Sequence, residues 1–117
     1  MNYEIGDIVW VETSTEGAIN KHMYVIIGSD NEAVPVEYFG FVVSSNIKKS
    51  KFNSPYKFNE PIYPTILNNL DFDSIVKCDQ LFTINEDEIL YKLGQVDLED
   101  LMRFYSAYNE YNSEQNN

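Results

Sequence analysis

The sequence predicts one mainly β domain, with a barrel-like core and a C-terminal α-helix, on three observations. Short β-branched and aromatic runs of strand length recur up to Val96, bounded by Gly, Asn, Asp or Pro. After Asp97 the pattern changes, and Leu98, Leu101, Met102, Tyr105 and Tyr108 follow helical spacing. A chain of 117 residues supports one hydrophobic core, and no repeat or interdomain linker divides it.

Residues 8–11 (IVWV), after the Gly6-Asp7 turn signal, form the first strand, expected to be buried on both faces. Residues 12–21 (ETSTEGAINK) are polar and contain Gly17, so they read as a loop, long enough to suggest a functional role. Residues 23–27 (MYVII) are the second strand, ended by the turn residues 28–31 (GSDN). Residues 38–45 (YFGFVVSS) are the third, where Gly40 inside an aromatic run signals a bulge or a close backbone approach.

Residues 46–55 form a basic loop, and Pro61 and Pro64 confine any strand within 56–67 to a sheet edge. Residues 74–84 (SIVKCDQLFTI) read as one further strand. Residues 89–96 fit strand or helix, because Asn85-Glu86-Asp87 can begin either; strand is the reading taken. In the final helix Asp97 is the N-cap, and Glu99 and Asp100 complement its positive end. The domain is thus expected to span residues 1–111, with a polar tail at 112–117 (NSEQNN) that frays.

Composition narrows the function. The opening residues, MNYEIGDIVW, contain neither a basic segment followed by an apolar one nor a long apolar run, so a cytoplasmic chain with no membrane association is expected. Cys78 is the only cysteine and His22 the only histidine, which excludes an intrachain disulfide and a zinc site of usual ligand count. Acidic runs such as Glu86-Asp87-Glu88 lack calcium-loop spacing and read as solvated faces, so no metal and no cofactor is expected. The glycines never cluster into a phosphate-cradling loop, and no GxSxG elbow occurs, which argues against nucleotide hydrolysis and acyl transfer.

The net charge of −11 repels nucleic acid taken globally, but it is unevenly spread. Residues 1–41 carry seven acids against Lys21, and residues 58–117 carry twelve acids against three bases. Residues 42–57 hold Lys48, Lys49, Lys51 and Lys57 with no acid. This segment is either a solvated loop or the one stretch able to receive a phosphate backbone. Histidine is the side-chain type whose unperturbed pKa lies near neutrality, and His22 stands where the polar stretch enters a strand, a placement suited to acid–base chemistry. Ser44 and Ser45 would put hydroxyls beside any anion drawn to the lysines, although serine at a strand end is also ordinary turn chemistry.

These features occur in a definite order: Gly6-Asp7-Ile8-Val9-Trp10-Val11, then His22-Met23-Tyr24-Val25-Ile26-Ile27, then Val43-Ser44-Ser45-Asn46 with the lysines, then Cys78-Asp79-Gln80-Leu81. In that order the chain resembles the MazF/PemK (Kid-like) toxins of toxin-antitoxin systems, from Gly6 to about Tyr108. The resemblance implies an SH3-like β-barrel of MazF/CcdB type, a homodimer, and a cognate antitoxin as partner. It implies metal-independent, sequence-specific cleavage of single-stranded RNA, leaving a 2′,3′-cyclic phosphate and a 5′-hydroxyl.

In the family an arginine at the start of the second strand and a threonine or serine at the end of the third carry catalysis. The matching positions here are His22, followed by Met23 where proline is usual, and Ser44. The expected catalytic residues are therefore His22 and Ser44, with Lys21, Ser45, Asn46, Lys48, Lys49 and Lys51 as RNA-binding residues and Gln80 as a structural residue of the barrel. A second reading, favoured by the missing arginine and the −11 charge, is a non-catalytic module on the same barrel, or a CcdB-like toxin acting on a protein target.

Overall fold

The first strand begins at a turn held by one buried carboxylate. Asp7, 2% exposed, accepts hydrogen bonds from the Glu4 amide and Gln95 Nε2 and pairs with Lys92. The computed structural model describes residues 2–15, 17–53 and 55–116. Met1, Glu16 of the expected polar loop, Ser54 of the basic loop and Asn117 of the tail lie outside them. The elements are β1 (Asp7–Thr15), β2 (Ala18–Ser29), β3 (Glu37–Ser44), β4 (Asn59–Ile62), β5 (Ser74–Lys77), β6 (Phe82–Asn85), β7 (Ile89–Gln95) and α1 (Leu98–Gln115).

The strands form one antiparallel sheet in the order β4-β5-β3-β2-β1-β7, with β6 also paired to β3. Alternation along the strands divides the apolar residues between two clusters. Ile8, Val25, Phe41, Val43, Ile62, Val76 and Phe104 belong to one; Val9, Val11, Tyr24, Ile26, Tyr38 and Ile84 belong to the other. Burial on both faces explains why the central strands are continuous β-branched and aromatic runs rather than alternating ones. Gly40 is required by contact: a Cβ there would stand 2.8 Å from the Val25 carbonyl oxygen, the close approach expected from the sequence.

Pro61 lies in β4, at the sheet edge, as its missing donor demands. Residues 89–95 are the strand β7, preceded by a 3-10 turn over Glu86–Glu88 with a capping box between Asn85 and Glu88. Three expectations fail. The polar stretch 12–21 is a hairpin, not a loop: β1 and β2 pair from Val11↔His22 out to Thr15↔Ala18. Ser14 and residues 17–21 are exposed, which fits a polar sequence, while the backbone ladder is still made.

The stretch 74–84 is two strands. Val43 on β3 pairs with Val76, but Gly40, three residues back, pairs with Phe82 rather than residue 79. Three extra residues therefore loop out between β5 and β6, where Cys78 is buried and its amide donates to the Phe58 carbonyl. The tail is helical as far as Gln115, not frayed. Tyr111 packs edge-on against Phe58, and Lys57 pairs with Glu114, which ties the last turns to the preceding loop.

Helix α1 starts where the sequence says it should, with the Asp97 side chain accepting from the Asp100 amide at 2.8 Å. Asp97→Ala leaves that amide without its cap and is expected to lower stability by about 1 kcal/mol in urea unfolding. Among the described residues no helix is long and apolar enough to cross a membrane.

Candidate functional site

The hairpin outgrows the sheet beside it. The β2–β3 ladder ends at Met23↔Val43, and one step further the same register sets His22 against Ser44. At this end of β3 a cleft of about 610 Å³ opens, lined by His22 and Ser44 and also by Lys21, Lys77, Gln80 and Phe82. Its other wall is the loop that carries Leu70, Asp71 and Phe72. The buried Asn68 fixes that loop, accepting from the Thr65 and Leu70 amides and donating to the Tyr63 carbonyl. The loop also packs directly on β7, since a Cβ at Gly94 would lie 2.5 Å from the Asn68 carbonyl oxygen.

His22 is exposed, and its one ring contact among the described residues is with Tyr24, edge to face with centroids 6.5 Å apart. Both imidazole nitrogens are thereby left to solvent or ligand, as no hydrogen bond from the ring to a described residue exists. Tyr24 is itself 9% exposed, and burial, with the Glu88 carboxylate second, pushes its phenol above the ordinary tyrosine range. It therefore remains a neutral hydroxyl beside the imidazole. Ser44 Oγ accepts from the Asn46 amide at 3.2 Å, which orients the hydroxyl while leaving its proton free to donate.

The expected RNA-binding residues separate. Lys21 and Ser45 line the cleft with the expected catalytic pair; Asn46, Lys48, Lys49 and Lys51 do not. Asn46 serves the Ser44 turn through its amide. Lys48 and Lys49 sit in a 3-10 turn (Ile47–Lys49) whose carbonyls accept from Asn53 and Asn59 side chains. Neither lysine forms an ion pair with a described residue.

Two of the four lysines in the acid-free segment are neutralised by distant acids. Lys51 Nζ stands 3.1 Å from Glu60 Oε1, and Lys57 pairs with Glu114. Glu60 is 6% exposed and also takes Arg103 at 3.0 Å, while Arg103 adds Asp100 and the Pro61 carbonyl. Burial opposes the Arg103 charge, but these carboxylates outweigh it and raise its pKa. The cluster joins α1 to the β4 edge and belongs to the scaffold.

Lys77, Gln80 and Phe82 are cleft residues that sequence reasoning missed or misassigned. Gln80, expected to hold the barrel, is exposed, and its amide bonds no described residue. All three stand at or beside the three-residue loop-out between β5 and β6, and register offsets of that kind leave no mark in periodicity. A lysine at position 77, interrupting an otherwise buried run, was the only available signal. Among the described residues no group of three or more His, Cys, Asp or Glu could hold a metal ion.

Against this geometry, a family model described as "PemK-like, MazF-like toxin of type II toxin-antitoxin system" matches residues 4–110. Among solved structures, the Mycobacterium tuberculosis toxin MazF-mt6 is similar, with a TM-score of 0.68 at 14% identity over 92% of this chain and 96% of that one. An endoribonuclease in complex with its cognate antitoxin from a mycobacterial species has a TM-score of 0.68 at 14% identity, over 92% of both chains. A MazE-MazF structure from Deinococcus radiodurans has a TM-score of 0.71 at 13% identity, over 92% of this chain and 93% of that one. No curated protein matches the chain in sequence.

Proposed function

Because the chain belongs to the PemK-like, MazF-like toxin family of type II toxin-antitoxin systems, we propose that it is an endoribonuclease that cuts single-stranded RNA without a metal ion. The observation that carries this reading is the placement of His22 beside Ser44 at the mouth of one cleft. Internal attack by a ribose 2′-OH needs a base for its proton, an acid for the leaving 5′-oxygen, and donors or cations where charge builds on phosphorus. An exposed imidazole takes the 2′-OH proton and, once protonated by it, passes that proton to the leaving 5′-oxygen. The Ser44 hydroxyl donates to a non-bridging phosphate oxygen, and Lys21 and Lys77 supply positive charge at the cleft.

Arginine at this position would serve mainly through its charge, whereas His22 exchanges protons as well. Cleavage is accordingly expected to slow as pH falls and the imidazole is protonated, and to resist chelators. Ser44→Ala removes one donor to developing charge, and a loss of about 10²–10³-fold in cleavage rate is expected, with substrate affinity much less affected. An equal fall in affinity and no change in rate would assign Ser44 to binding instead.

The proposed partner is a cognate antitoxin that occupies the same cleft; one of the similar structures is of an endoribonuclease in complex with its cognate antitoxin, and another is of MazE-MazF. A homodimer is proposed on the same family grounds. The absence of an arginine from the cleft lining favours a second reading, a non-catalytic toxin that captures a protein target. It predicts no RNA cleavage at any pH.

A further inference from the structure

The cleft offers a nucleic acid little charge. Of its cations, Lys21 lies 3.9 Å from Glu12, only Lys77 is unpaired among the described residues, and Asp71 adds a negative charge opposite. The lysines that composition marked as phosphate contacts are outside the cleft or bound to acids. In a chain of net charge −11, counterion release contributes weakly to RNA binding. Affinity needs another source.

The cleft also presents aromatic surface. Phe82 is 38% exposed in the cleft, although it is apolar and belongs to a strand. Tyr24 backs it edge-on, with centroids 5.6 Å apart at 67°, and so fixes the ring. Directly across the ladder stands Gly40, which has no side chain to cover it. Two residues earlier Gln80 brings an amide with both donor and acceptor to the same cleft, unused by any described residue.

We propose that Phe82 is a stacking platform for one unpaired nucleobase of the RNA, whose edge the Gln80 amide reads, making this pair a determinant of sequence preference. The proposal rests on the ribonuclease reading of the cleft. Every base has a π-face, so stacking provides affinity independent of charge, and the amide then selects among bases. Side chains buttressed from below in this way are ordered before the ligand arrives, which reduces the entropic cost of binding.

The test uses the full chain and 12-nucleotide 2′-O-methyl RNAs of mixed sequence, which lack the attacking hydroxyl, each carrying one 2-aminopurine. Binding is expected to quench the fluorophore at one position along the strand, with a shallow dependence of log K on log salt, slope about −1 to −2. Phe82→Ala and Phe82→Leu should each weaken binding about tenfold and abolish the quench at that position without changing the slope. Leucine keeps the apolar contact with Tyr24, so an unchanged Tm for that variant separates stacking from folding. Gln80→Ala should flatten the preference among sequences while retaining the quench.

Unchanged affinity and quenching in Phe82→Leu, with the parent still cutting unmodified RNA, would overturn the stacking proposal alone. A slope of about −4 or steeper would overturn it in favour of phosphate contacts. A parent that neither binds nor cuts RNA would overturn it together with the ribonuclease reading.

Discussion

Replacing His22 by alanine is expected to slow RNA cleavage by about 10²–10⁴-fold, because a positioned proton-transfer group contributes an effect of that size. Thermal unfolding should scarcely change, since the imidazole is exposed and its ring contact among the described residues is a single edge-to-face one with Tyr24. His22→Arg separates the two roles that the side chain can play. Arginine is permanently charged near neutral pH and cannot exchange the proton. If His22 moves protons, the arginine variant should lose the limb of the pH profile that His22 governs and remain slow. Recovery of the parent rate by arginine, with an unaltered profile, would assign the position to charge stabilisation alone.

The second large effect concerns the scaffold. Phe104 of α1 is fully buried, in the same cluster as Phe41, Val43 and Ile62. One turn on, Tyr108 packs on Phe41 with ring centroids 5.3 Å apart. Phe104→Ala is expected to cost about 3–5 kcal/mol, the sum of lost transfer energy and an unfilled cavity. A domain of this size has about 5–15 kcal/mol in total, so the variant should unfold at far lower urea concentration or fail to accumulate. A loss under about 1 kcal/mol would mean that α1 docks without contributing to the core. Cys78 gives an independent readout: buried, with its thiol pKa pushed upward chiefly by desolvation, it should react with thiol reagents only on unfolding.

The fold was legible where burial shapes the sequence. The runs at 8–11, 23–27 and 38–44 are apolar because both faces of those strands are covered. Pro61 announced an edge, Gly40 a close approach and Asp97 a helix start, each through a single steric or hydrogen-bonding demand. The distal hairpin at 12–21 was not legible, because largely exposed strands have loop composition. Nor was the end of α1, whose last turns are polar but held by Tyr111 and Glu114.

The candidate site divides along the same line. His22 and Ser44 could be named from their residue types and the family resemblance, and the register brings them together. The lysine segment misled, because sequence neighbours say nothing of Glu60 and Glu114, which reach it from elsewhere. Lys77, Gln80 and Phe82 arrive at the cleft through a three-residue offset between β5 and β6 against β3. An offset of that kind is set by tertiary pairing and has no local signature.

The most direct test of the central claim is incubation of the purified chain with a long single-stranded RNA in EDTA, between roughly pH 5 and 9, a range that brackets the charge change of an unperturbed histidine. Cutting at a recurring sequence, with 2′,3′-cyclic phosphate and 5′-hydroxyl ends and a rate that falls toward the acid end of that range, is the predicted result. RNA left intact throughout, by a chain shown to be folded, would contradict the ribonuclease account and point to a protein target instead.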